Sequence, residues 1–233
     1  MQVEAAKHYK NILIGGVLIA LLFYPLIGYL FFWGYKITIP YLLYSRLFFW
    51  FWVAILYVYA RKAEGTDFLL WKDKAYGFWF YPASLGALFL LKIGSGIIGS
   101  IPKLFGHHDD PSVTIQMLTV ITQSLPLVLF GAITAGVTEE LVFRGYLVPR
   151  LELLFKNKYM PVIISALFFA LMHYRYGSLA QTIFTFCFGV AFAIHYQWYR
   201  NIKVLILTHA LVDLISFLSF MVLQHYHLEK LIK

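Results

Sequence analysis

Seven apolar blocks, separated by short polar loops, set the terms for this chain. They run roughly over 11–33, 41–60, 76–99, 114–135, 161–175, 178–199 and 203–224. All but 161–175 reach the ~20 residues that a helix needs to cross the hydrocarbon core of a bilayer. A single water-soluble core fails on quantity. Of 233 residues, 61% are hydrophobic and 13% charged, against roughly half and a quarter in a soluble domain. The expected fold is an all-α polytopic membrane protein of about seven transmembrane helices (six to eight). Residues 1–233 form a single membrane domain, with no room for a separate soluble one.

The net charge of +8 would suit nucleic acid if it were clustered. Instead the basic residues sit at the ends of apolar blocks, where they fix topology and anchor to headgroups. Membrane lipid, not nucleic acid, is the expected partner. Aromatic residues make up 19% of the chain. Tyr41, Tyr44, Trp71, Trp79, Tyr196, Trp198 and Tyr199 fall near block ends, as an interfacial belt would. Lys7 and Lys10 precede an apolar run from Asn11 to about Trp33, longer than a signal-peptide core, which reads as a retained first span. The single Cys187 cannot form an internal disulfide.

With seven spans and a cytoplasmic N-terminus, the inside carries eleven basic residues: Lys7, Lys10, Arg61, Lys62, Lys72, Lys74, Arg150, Lys156, Lys158, Arg200 and Lys203. The outside carries six: Lys36, Arg46, Lys103, Arg175, Lys230 and Lys233. The excess favours that orientation, and the plasma membrane of a prokaryotic cell is the expected location. Lys92 and Arg144 are left at membrane depth. The odd segment is 136–158, where charged residues interrupt the apolar pattern. It reads as the inner half of a long helix starting near Pro126, rather than an amphipathic surface helix, with a turn over 157–161.

Of eleven Asp and Glu residues, eight fall in loops, tails or this interfacial stretch: Glu4, Glu64, Asp67, Asp73, Asp109, Asp110, Glu152 and Glu229. Glu139, Glu140 and Asp213 do not. A carboxylate at bilayer depth costs ~2.5–3.5 kcal/mol on insertion scales, so it needs a partner, water or a function. At ~1.5 Å rise per residue, Glu139 lies ~16 Å above Arg150, His173 ~18 Å above Pro161, and His209 and Asp213 ~9 and ~15 Å above Lys203. Three helices thus carry polar groups into one layer, as a shared intramembrane cavity requires. His209 and Asp213 are i,i+4 neighbours on one face, as are Glu140 and Arg144. Glu139 points about 100° away from Glu140. One glutamate can pair with Arg144 while the other faces the cavity as a general base.

These residues match a family pattern. Glu139-Glu140-Leu141-Val142-Phe143-Arg144, followed by Gly145-Tyr146-Leu147, resembles the EExxxR motif of the CPBP intramembrane proteases, also called the type II CAAX prenyl endopeptidase or Abi family. Phe169-Ala170-Leu171-Met172-His173 resembles the FxxxH motif, and His209-Ala210-Leu211-Val212-Asp213 the Hxxx(N/D) motif. The resemblance covers about Gly131–Asp213. It divides the chain into N-terminal helices without motifs (1–112) and a catalytic core (113–224). The resemblance implies that Glu139 activates water and that His173 shares it. His209 and the residue at 213 would stabilise the oxyanion or orient the site. Glu140 and Arg144 would brace the helix, with Phe169 also in support. Asp213 departs from the prenyl-protease pattern, which has Asn there. An ionised carboxylate only accepts hydrogen bonds and would repel an oxyanion. Asp213 is either protonated or holds the His209 tautomer; the second reading is preferred, by analogy with other carboxylate–histidine pairs.

The reading is therefore an intramembrane endopeptidase acting on a peptide or protein substrate, lipidated or not. A metal-free glutamate mechanism is preferred. Zn²⁺ held by Glu139, His173 and His209 stays open, but no HExxH helix is present. Other readings are a non-enzymatic immunity or chaperone-like protein of the same fold, an ion-coupled transporter, and a metal-dependent lipid hydrolase. The transporter would favour a repeated half, and none is visible. His195 is expected at the interface, and His107-His108-Asp109-Asp110 as a turn before Pro111. Phe48–Trp52 reads as lipid-facing or packing, and His225 and His227 as tail residues. Substrate identity and oligomeric state are not written in the sequence.

Overall fold

The computed structural model describes residues 2–28, 34 and 36–226. Among them all regular structure is helical. In chain order the helices are α1 (Gln2–Phe23), α2 (Ile39–Tyr59), α3 (Phe80–Gly99), α4 (Ile101–Leu104), α5 (Ser112–Ile121), α6 (Leu125–Glu140), α7 (Val148–Leu154), α8 (Tyr159–His173), α9 (Leu179–Tyr199) and α10 (Ile202–His225). Three π-helical turns extend them: Tyr24–Gly28 after α1, Ala60–Glu64 after α2, and Leu141–Leu147 joining α6 to α7. The end of the first apolar block at Trp33, together with His227, Glu229, Lys230 and Lys233, lies outside the described residues.

Among the described residues six helices are long and apolar enough to cross a membrane: Glu4–Gly28, Ile39–Glu64, Phe80–Leu104, Leu125–Leu154, Leu179–Tyr199 and Ile202–His225. With the shorter apolar α8 beside them, this is a polytopic all-α membrane protein of about seven helices. Large apolar residues such as Phe51, Leu90 and Ile97 are exposed on the outer faces, where lipid is the solvent.

Two apolar blocks fold differently from their hydropathy. The block 114–135 is not one span. It breaks at Thr122–Ser124, and Ser124 is extended before a new helix that starts Leu125-Pro126. Proline lacks the amide that a continuing helix would need, but suits a first turn. The new helix runs Leu125–Leu154 over 30 residues, the long helix expected from Pro126. Pro149 does not end it, because the π turn just before it has already shifted the hydrogen-bond register. The block 161–175 becomes α8, only 15 residues long, closed by a 3₁₀ turn over Tyr174–Tyr176.

The most extensive helix pairings are α8 with α9, α6 with α10, and α3 with α9. Small residues set two of these distances. A Cβ on Gly136 would lie 2.7 Å from the backbone nitrogen of Ala210, and one on Gly189 would lie 3.1 Å from Ala166 Cα. Close approach at Gly136 brings α6 against α10 one turn before Glu140 and next to His209. The main core joins the two halves of the chain: Val17, Trp52 and Leu56 pack in one cluster with Phe143, Phe192 and Val212.

Several expected surface residues are inside. Tyr196 and His195 are 0% and 7% exposed, so neither belongs to an interfacial belt. His195 packs between Phe80 and Tyr199 because α9 turns this face toward α3. In the run 48–52, Phe49 and Trp52 are buried while Trp50 and Phe51 face outward. Asp109 lies in the irregular loop over 107–111 rather than in the expected turn, which falls at 105–106, and accepts a hydrogen bond from the Leu179 amide at 2.7 Å, tying the loop to the start of α9.

Candidate active site

Glu139 and Glu140 end α6 and are 5% and 0% exposed. The next residue enters the π turn, a feature frequent at functional sites. In this segment the Val148 amide reaches back to the Phe143 carbonyl. The same carbonyl accepts from the Ser165 hydroxyl of α8 at 3.1 Å.

Glu140 is bonded through one oxygen, while its Oε2 is buried with no hydrogen-bond partner among the described residues. Its Oε1 accepts from Arg144 Nη1 at 2.9 Å and from His209 Nδ1 at 2.7 Å. Arg144 is completely buried; its guanidinium lies 4.5 Å from the Phe169 ring centroid and 5.5 Å from that of Phe192. Arg144 Nη2 donates to the Gly189 carbonyl at 3.4 Å. Arg144 therefore does not snorkel. It links α6 to α9, and Glu140 links the same point to α10. Phe169, Phe188 and Phe192 surround the His209 ring edge-on.

Glu139 is left differently placed. Among the described residues it accepts no hydrogen bond, and its Oε2 lies 3.9 Å from His209 Nε2. Asp213 Oδ2 lies 3.8 Å from the same nitrogen. Asp213 does not hold the His209 tautomer, as the sequence suggested: Glu140 does, through Nδ1. The i,i+4 spacing put Asp213 on the right face but not at hydrogen-bond distance. His173 ends α8. Its Nδ1 lies 2.8 Å from the Phe169 carbonyl. A carbonyl only accepts, so this ring nitrogen carries a proton. Glu139 and His173 are within Coulombic range of each other. Glu139, Glu140, Arg144, Phe169, His209 and Asp213 thus meet around one histidine, with His173 in the same electrostatic neighbourhood.

Zinc would require Glu139, His173 and His209 to converge. Among the described residues no group of three or more His, Cys, Asp or Glu donors could hold an ion. Nδ1 of His209 is held by Glu140 and Nδ1 of His173 by the Phe169 carbonyl, so on either ring Nε2 is the nitrogen on which a metal would have to sit.

Three charged residues were misplaced by sequence reasoning. Glu64 and Arg150, read as a loop acid and an inner-end anchor, form a second buried ion pair with both side chains 0% exposed. Arg150 Nε lies 2.9 and 2.8 Å from the two Glu64 carboxylate oxygens, and the Tyr146 hydroxyl donates to Glu64 at 2.7 Å. Arg46, read as an outer loop cation, is 8% exposed on α2. The usable signal was its position inside the apolar block 41–60, the same anomaly that marked Arg144.

The comparison with known families bears on this cluster. The family model for type II CAAX prenyl endopeptidase, Rce1-like, matches residues 121–215. The match spans 95 of the 233 residues, so this segment is similar to that family. The match contains every residue of the Glu140–Arg144–His209 chain, with Glu139, His173 and Asp213. No curated protein and no solved structure matches the chain. The chain is thus an integral multi-pass membrane protein with a segment similar to the type II CAAX prenyl endopeptidase family.

Proposed function

We propose that the protein hydrolyses a peptide bond in or beside the membrane, using a water activated by Glu139 and His173 without a metal. One observation carries this: adjacent carboxylates have separate environments. Glu140 is bound through Oε1 to both Arg144 and His209, while Glu139 is buried and accepts no hydrogen bond among the described residues. A carboxylate that accepts no hydrogen bond has its oxygens open to a water, the geometry a general base requires. His173, with its proton held by the Phe169 carbonyl, offers Nε2 as a second acceptor for the same water. His209 gives its Nδ1 proton to Glu140, so Nε2 donates only when the ring carries both protons. That form is the donor we assign to the oxyanion, with Asp213 facing it rather than contacting the substrate oxygen.

The substrate is a peptide or protein. A lipid-bearing tail is supported by the family's description and by an apolar groove of about 770 Å³ lined by Phe23, Ile27, Tyr44, Leu47, Phe48 and Phe51. The groove adjoins Tyr24, whose ring stacks on Phe49 and which lies within Coulombic range of Glu139. The N-terminus is assigned to the cytoplasm. Withdrawing buried Arg46 and Arg150 from the charge count leaves ten basic residues inside against five outside, from eleven and six.

The test is hydrolysis of lipidated and unlipidated peptides by the purified chain in bilayer discs, with wild type, Glu139→Gln and His173→Ala compared. Loss of cleavage in both variants, with chelator leaving the wild type unchanged, is expected. Undiminished cleavage by Glu139→Gln would overturn the assignment.

A further inference from the structure

Arg46 lies on α2, outside the matched residues 121–215, and 8% exposed. Two buried residues on its own helix face show where that face points. Leu42, four residues earlier, joins a cluster with Val128, Ala132 and Phe217 that Leu214 flanks. Phe49, three residues later, joins the cluster containing Phe143 and Val212. Arg46 thereby sits on the buried face of α2, between a cluster that includes Phe217 of α10 and the main core. Its guanidinium lies 5.6 Å from the Phe49 ring centroid and within Coulombic range of Asp213 and His173. Its Nε is buried and has no hydrogen-bond partner among the described residues.

The charges around His209 do not balance without it. Glu139, Glu140 and Asp213 all approach this ring, and Arg144 is bound to Glu140. Ionisable groups at membrane depth persist by pairing. We propose that Arg46 is the counter-ion of Asp213, a positioning residue that lets a carboxylate face His209 Nε2 inside the membrane. The helices that precede the family core then take part in the site through charge, not only through packing. The consequence for hydrolysis rests on the endopeptidase reading above; the pairing does not.

A double-mutant cycle on the full chain separates the two. Wild type, Arg46→Met, Asp213→Asn and the double variant are purified in detergent and their unfolding midpoints measured. Arg46→Met should lower the midpoint, and the Asp213→Asn background should remove more than half of that drop. An equal drop in both backgrounds overturns the pairing. Arg46→Lys keeps the charge and should stay near wild type; a drop as large as that of Arg46→Met also overturns it, since packing would then be the cause. If Arg46→Met cannot be recovered folded, Arg46→Gln takes its place in the cycle under the same criteria. In peptide hydrolysis, Arg46→Met should lower kcat roughly tenfold with little change in KM, and Asp213→Asn should restore most of it. If the wild type cleaves no peptide, the endopeptidase reading falls while the unfolding cycle still decides the pairing.

Discussion

Replacing Glu140 and Glu139 separately by glutamine should damage different properties of the protein. Glu140→Gln keeps one carbonyl acceptor but removes the charge that balances Arg144, a guanidinium with 0% exposure. It also weakens two charge-assisted hydrogen bonds, of 2.9 and 2.7 Å. Breaking a buried ion pair by removing one partner costs ~3–5 kcal/mol, and the remaining acceptor holds the loss near the lower end. Glu139→Gln removes no hydrogen bond among the described residues, and its nearest ionic neighbour is 3.9 Å away. Its effect on stability should stay below about 1 kcal/mol. Its effect on chemistry should be large, because a positioned general base contributes about 10²–10⁴ in rate. The assay pairs denaturant unfolding in detergent with peptide hydrolysis, at a temperature where both variants are folded. The expected result is a stable, inactive Glu139→Gln and a destabilised Glu140→Gln. Equal destabilisation of the two, or a fully stable Glu140→Gln, would refute the division of roles.

Other perturbations follow from the same contacts. Glu64→Ala strands buried Arg150 and should cost ~3–5 kcal/mol, whereas replacing both by apolar residues should recover part of it; unfolding midpoints check both. Gly136→Ala places a methyl group 2.7 Å from the Ala210 nitrogen and 2.9 Å from its Cβ. Forcing α6 from α10 should cost ~1–3 kcal/mol and reduce activity together with stability. Asp109 lies in a loop outside the spans. Burial is the largest influence on its carboxyl and acts upward, but hydrogen bonds from Leu179, Ser178 and Ala180 outweigh it and hold the pKa below the usual value. A depressed folded-state pKa stabilises above the unfolded value, near ~3.9, and the effect is lost as pH falls through the folded value. The protection of the Leu179 amide relative to its intrinsic exchange rate should therefore fall below about pH 4 in wild type and show little such dependence in Asp109→Asn.

The legible part of this site is the part written in local spacing. Glu140 and Arg144 are i,i+4 on one helix, and their pairing could be read without coordinates. His209 and Asp213 have the same spacing, yet the bond from His209 goes to Glu140, 69 residues away. A helical face admits several partners, and only the approach of α6 to α10 chooses among them. The break at Thr122–Ser124 was invisible to hydropathy, because apolar residues lie on both sides of it; Pro126 carried the signal. Glu64 and Arg150 were misread for a related reason. Each stands near the end of an apolar block, where a charge costs little if it meets water and headgroups. Nothing local says that the two ends fold together.

The π turn explains how one helix serves both ionic clusters. Each i→i+5 bond under-winds the chain relative to an α-helix. Residues after Leu147 are therefore rotated from where regular α geometry would have put them. Glu140 and Arg144 stay directed at α9 and α10, while Tyr146 and Arg150 turn toward Glu64 at the end of the second span. Arg150 also donates to the carbonyls of Asp67 and Phe68, so the loop after that span is held as well. The cluster around His209 and the anchor of the N-terminal helices thus share one rigid element, about one and a half helical turns apart. A change that straightens this turn into α-helix would misdirect either Arg144 or Arg150. Deleting one residue from Leu141–Leu147 should accordingly cost both stability and cleavage, and a deletion mutant retaining either at the wild-type level would show that the rotation is not needed.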